Sequence, residues 1–160
     1  MNRSLFPTRP PPRPTIIGWF FALIIGTSIA SHANSRELVL VSSQDANFET
    51  IPLQDLRRIY LGIPLRGETK FVKPYRNTSN LDIERYFYSH IMFMTEDNYK
   101  RLVLERSFRQ GVIRPPEIND EAELVNLLRR DNVGVSFMWR EQVNNYDGLK
   151  VLQVLWQENE

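Results

Sequence analysis

Five prolines and no acidic residue within positions 2–14 keep the start of this chain out of any packed core. Pro7, Pro10, Pro11, Pro12 and Pro14 interrupt any helix there, and Arg3, Arg9 and Arg13 make the stretch basic. Ile16–Ile25 is then almost wholly apolar, and Gly26, Thr27 and Ser28 end the run. Ser31-His32-Ala33 follows, with small residues at the two positions a signal peptidase reads. A basic stretch, a short apolar stretch and a small-residue site, in that order, predict a secretory signal over residues 1–33. Ala30 offers a second cleavage point. A membrane-spanning helix needs about 20 apolar residues. Ile16–Ala30 supplies 15, diluted by Gly18, Gly26, Thr27 and Ser28. Cleavage is therefore expected, with no membrane span afterwards. No paired arginine precedes the apolar run, which points to the general export route.

Removing residues 1–33 changes the charge. They carry three arginines and no acid, so the remainder holds 17 basic and 19 acidic residues, a net charge of −2 against +1 for the whole chain. A slightly acidic domain gives no electrostatic case for nucleic acid. The chain has no cysteine, which excludes a lipid anchor and disulfides alike. The 127 residues of 34–160 suffice for one hydrophobic core, so a single domain is expected.

Within that domain, Leu38-Val39-Leu40-Val41 is a continuous apolar run and predicts a strand covered on both faces over Glu37–Ser43. Leu53, Leu56, Ile59 and Tyr60 have helical spacing, and Gly62 is a stop. Gly67 marks a turn, and Thr69–Tyr75 reads as a second strand interrupted by Pro74. Ser79 with Asp82 is a capping-box pattern, which predicts a helix whose apolar face carries Ile83, Phe87, His90, Ile91 and Met94. Thr95 opens another helix, with Tyr99, Leu102, Val103 and Arg106 on one face and Gly111 at its end. Arg114-Pro115-Pro116 is an extended connector. Asp120 with Glu123 starts a helix with Leu124, Leu127 and Leu128 inward. Val133–Trp139 and Leu149–Leu155 are the closing strands, separated by a turn at Asn145–Gly148. Strands alternating with helices predict an α/β fold with a mixed, mostly parallel sheet flanked by helices.

Few residues carry chemistry. With His32 removed, His90 is the one histidine left, so a zinc-type metal site and any cofactor are not expected. His90 sits on an apolar stripe and reads as a partly buried structural residue. A Ser-His-acid hydrolase would need it, and no Gly-x-Ser-x-Gly turn presents a serine. The domain is therefore not expected to be an enzyme. Phe87, Tyr88, Phe93 and Tyr99 have the spacing of a packed helix pair and read as core. Arg106, Arg109 and Arg114 cluster around a helix end, and Arg129-Arg130 near the next, where the dipole favours cations.

Tyr75-Arg76-Asn77-Thr78-Ser79-Asn80 has anion-site character. It joins a strand to a helix start, where free amides and the dipole favour an anion, and it supplies an arginine and two hydroxyls. The competing reading is structural: Ser79 caps the helix and Arg76 pairs with Asp82 or Glu84.

Four segments in order resemble the phosphate-type ABC-transporter periplasmic substrate-binding proteins. Leu53-Gln54-Asp55-Leu56-Arg57-Arg58-Ile59-Tyr60-Leu61-Gly62 resembles that family's "leucine, two polar, leucine, two polar, Ile-Phe-Leu-Gly" signature. Val72–Phe87 is similar to its "valine, proline, arginine, small polar run, phenylalanine" stretch. Asn98-Tyr99 through Gly111, with Pro115-Pro116, and then Asn132–Phe137 match its later elements. The resemblance covers residues 37–155. It implies one lobe of a type II periplasmic binding protein, a periplasmic location, and phosphate or a similar oxyanion as ligand. Carried over by position, Arg76 and Ser79 match the family's ligand-contacting arginine and serine, with Thr78 and Asn80 beside them. The family loop reads serine-glycine-threonine, whereas Ser79 here precedes Asn80 and Leu81. Family members that bind phosphate also close two lobes on the ion, and this chain is long enough for one. Two functions follow: a phosphate-binding protein acting alone or as a homodimer, and a ligand-free lobe serving as an interaction module for an envelope sensor or transport component.

Overall fold

A computed structural model describes residues 36–158, apart from 48, 64 and 66–70. The expected signal over 1–33, the turn at Gly67 and the first two residues of the expected Thr69–Tyr75 strand lie outside the described residues.

The apolar run becomes the centre of the sheet. β1 (Glu37–Ser43) is flanked by β5 (Gly134–Trp139) and β6 (Leu149–Gln157), and β2 (Lys73–Pro74) lies outside β5, giving the order β2-β5-β1-β6. Leu38 to Ser43 are all buried. Side chains alternate across a strand, so Leu38 and Leu40 enter one apolar cluster while Val39 and Val41 enter a second on the opposite face. On β5, Val135, Phe137 and Trp139 join the first cluster and Met138 the second. Each fully buried leucine, valine or phenylalanine contributes about 1.5–3 kcal/mol. The two faces together make the apolar run affordable in water.

The sheet is mixed and flanked by helices, as the α/β reading requires. The expectation that it is mostly parallel is corrected. β1 pairs antiparallel with both β5 and β6, and the parallel pairing is the short β2–β5 contact, Lys73 opposite Gly134. β5 and β6 therefore run parallel to each other on opposite sides of β1, and the chain crosses from one to the other through the short helix Arg140–Val143 and a turn.

The first cluster is roofed by α1 (Leu53–Tyr60), α2 (Leu81–Tyr86), a π-helical segment (Phe87–Met92) and α3 (Glu96–Gln110). The second is covered by α4 (Glu121–Arg130) and α5 (Arg140–Val143). α1 has the bounds its spacing predicts, with Leu56, Ile59 and Tyr60 buried. The caps at Thr95 and Asp120 form as expected, each accepting from the backbone amide three residues on. Gly134 tolerates no side chain, because a Cβ there would lie 2.9 Å from the Tyr75 ring.

The π-helical turn changes which residues face inward. Its wider turn takes the segment off the 3.6-residue period, so Tyr88 and Met92 are buried beside Phe87 and Ile91. His90 is only partly buried, stacked on Tyr86 with ring centroids 5.2 Å apart. Phe93, expected in the core, ends the turn with a left-handed φ of 54° and is 65% exposed, with the Arg57 guanidinium over its ring. Arg57 Nε donates to the Ile91 carbonyl at 2.6 Å and so satisfies one group at that irregular helix end.

Candidate functional site

The strand-to-helix stretch forms a second, two-stranded sheet. β3 (Arg76–Asn77) pairs in parallel with β4 (Glu117–Ile118), placing Arg76 opposite Glu117 and Asn77 opposite Ile118. The Arg76 amide donates to the Pro116 carbonyl, and the Thr78 amide to that of Ile118. This pairing carries Arg76 under the α2–α3 roof.

Arg76 is 3% exposed. Its Nη1 donates to Glu117 at 2.5 Å, and its Nη2 donates to Glu84 at 3.2 Å and to the Tyr88 hydroxyl at 2.6 Å. Its guanidinium carbon lies 5.1–5.7 Å from the ring centroids of Phe87, Tyr88 and Tyr99. A buried guanidinium needs such partners, since an unpaired charge away from water is costly. Its Nε is buried without a hydrogen-bond partner. Burial raises the Glu84 carboxyl above the usual range and outweighs the pull of Arg76. Burial also raises the Tyr88 hydroxyl, to about 12, with Arg76 pulling the other way. Tyr88 therefore stays protonated at neutral pH.

The other three sequence-nominated residues do not converge on Arg76 as ligands. Asn77, fully buried, organises the loop: its Oδ1 accepts from the Ser79 amide at 3.1 Å and the Ser79 hydroxyl at 2.7 Å, and its Nδ2 donates to the Phe137 carbonyl at 3.0 Å. Asn80, not Ser79, caps α2. Asn80 is extended and its Oδ1 accepts from the Asp82 amide at 2.7 Å. The capping-box reading was one residue early because Asn77 already holds the Ser79 hydroxyl. The Thr78 hydroxyl has no hydrogen-bond partner among the described residues. Asp82 pairs with Arg36 and Arg85 rather than with Arg76.

Sequence reasoning passed over two partners, Glu117 and Tyr88. Glu117 lies 41 residues from Arg76, and Tyr88, expected in the core for its ring, also brings its hydroxyl to the guanidinium. Tyr60 and Tyr99 extend the polar chain inward: Tyr99 donates to the Tyr60 carbonyl and Tyr60 to the Tyr75 carbonyl. Among the described residues, no group of histidine and acidic side chains is placed to hold a metal ion.

The overall arrangement matches solved binding proteins. An ABC-type phosphate transport receptor from Vibrio cholerae superposes with a TM-score of 0.53 at 14% identity, covering 74% of this chain and 46% of the receptor. PstS from Borrelia burgdorferi superposes with a TM-score of 0.53 at 13% identity, covering 74% of this chain and 47% of that protein. The fold is that of the phosphate transport receptors. The chain spans less than half the length of either receptor. No family model matches the sequence, and no curated protein does. Among the described residues, no helix is long and apolar enough to cross a membrane.

Proposed function

We propose that the chain is exported, loses residues 1–33, and works in the periplasm as a domain of residues 34–160. This domain shares the fold of the phosphate receptors and serves as a contact module for another envelope protein, a sensor or transport component, and not as an enzyme. The observation that carries this reading is the state of Arg76. Its guanidinium already holds two carboxylates and a tyrosine hydroxyl. An arriving oxyanion would have to displace Glu84 or Glu117 or sit against their negative charge. The amides of Thr78, Ser79 and Asp82 are likewise engaged within the protein. Calorimetric titration of the protein with inorganic phosphate is expected to give no binding heat at millimolar ligand. Saturable binding that Arg76→Lys abolishes would overturn this reading. N-terminal sequencing of the protein recovered from the cell envelope tests the cleavage at Ala33 or Ala30.

A second reading keeps phosphate or a similar oxyanion as ligand of Arg76, Thr78, Ser79 and Asn80, in a monomer or a homodimer that completes the cleft. The shared fold and the uncommitted Thr78 hydroxyl favour it. Sedimentation with and without phosphate separates the two, because this reading expects phosphate to bind or to drive dimerisation.

A further inference from the structure

A cleft of about 290 Å3 opens between α3 and the segment leading into β4, away from the 78–80 loop. Val103, Leu104 and Pro115 give it apolar walls, and Arg76 closes its base. Lys100, Arg101 and Arg114 line it from both sides. Glu117 is the one acid in the lining, and it holds Arg76. Lys100 is paired with Glu96. Arg101 has a neutral partner, Asn98, at 3.1 Å. Arg114 is exposed, and among the described residues no carboxylate pairs with it. Two guanidinium groups in the cleft are therefore uncompensated.

Apolar surface continues from the cleft. Leu104 is 40% exposed, Phe108 one turn later on α3 is 81% exposed, and Ile113 beside Arg114 is 89% exposed. Large apolar side chains grouped in this way mark contact surfaces. A small dianion suits the cleft poorly, because it is strongly hydrated and the apolar walls of Val103, Leu104 and Pro115 offer it no partner. A carboxylate carried next to an apolar side chain suits both halves of it.

We propose that this cleft binds an acidic, apolar peptide segment of a partner protein. The segment's carboxylate lies against Arg101 and Arg114, and its neighbouring apolar side chain packs on Val103, Leu104 and Pro115. The proposal rests on the contact-module reading and gives the partner its chemistry. Arginine suits the task because its planar fork pairs with a carboxylate through two hydrogen bonds.

The test is fluorescence polarisation with a dye-labelled hexapeptide of alternating leucine and glutamate, titrated with the protein recovered after expression of the full chain. Saturable binding is expected. Replacing the glutamates by glutamine, replacing the leucines by serine, or combining Arg101→Ala with Arg114→Ala should each weaken it by roughly tenfold or more. Arg85→Ala, which removes the same charge outside the cleft, should leave it unchanged. Absence of binding at millimolar protein, equal binding of the glutamine peptide, or an equal loss in Arg85→Ala would each overturn the proposal. Octanoate is the arm for a free solute: if it binds in an Arg101- and Arg114-dependent way and the peptide does not, the partner assignment falls. A silent phosphate titration together with a failed peptide titration removes this cleft assignment and leaves the contact-module reading standing. Phosphate binding through Arg76 removes that reading itself.

Discussion

Arg76 and Arg114 line the same cleft and differ in almost every other respect. Arg76 is 3% exposed, with every Nη contact made inside the protein. Arg114 is exposed, on a connector without regular structure. The first has exchanged water for carboxylates, a hydroxyl and aromatic rings, so its charge is spent on holding β3 to β4 and to the α2–α3 roof. The second retains its hydration and its capacity to meet a partner. The difference teaches that an arginine matching a ligand position in a motif is available to a ligand only if the fold leaves its charge uncompensated.

The largest test of this contrast is Arg76→Leu. It leaves Glu84 partly buried without its cation and removes the partner of Tyr88, so a loss of about 3–5 kcal/mol in urea denaturation is expected. A stable Arg76→Leu protein would break the comparison and return Arg76 to the ligand-binding role. Asn77→Ala comes next. It strips a fully buried side chain that ties the Ser79 loop to the Phe137 carbonyl, and the expected loss is about 1–3 kcal/mol in the same assay.

The pH dependence sharpens the contrast further. Burial raises the folded carboxyl of Glu84, so the folded state holds that proton more tightly than the unfolded state. Its contribution to stability therefore declines as pH rises from the ordinary glutamate value of about 4.3 through the raised value. Glu84→Gln should flatten that decline in a stability profile across acid pH. Asp131 has the opposite sign. Burial alone would raise it, but the Tyr75 hydroxyl, the Val133 amide and Lys73 together hold it below the usual range. Its contribution is present above about pH 4 and is lost as pH falls through its lowered value. Asp131→Asn should remove that acid-side loss.

The smallest stability effect belongs to Arg114→Ala. It breaks no ion pair among the described residues, and its change should stay within about 0.5 kcal/mol. A larger loss would mean that Arg114 resembles Arg76 after all.

Much of the fold was legible in the residues. The bounds of α1, the caps at Thr95 and Asp120, the stop at Gly111 and the buried run of β1 follow from short-range rules, because a helix face, a cap and a doubly covered strand are written within a few residues. The candidate stretch was legible as a place and less so as an arrangement. Asn80 displaced Ser79 as the cap because Asn77, three positions earlier, had taken the Ser79 hydroxyl. Met92 entered the core and Phe93 left it because one π-helical turn shifts the phase of the later residues in the segment.

By itself the sequence determined β1 and its two covered faces, the helices α1, α3 and α4, and the two closing strands, but not the short strands β3 and β4 or the helix Arg140–Val143. It also assigned an export signal to the first 33 residues, as an expectation. Only the tertiary structure decided the strand directions, the 41-residue link from Arg76 to Glu117, and which arginines keep their charge available. The physical reason is range. Helix periodicity and capping act over three or four neighbours, whereas burial and ion pairing depend on which distant segments the sheet brings together.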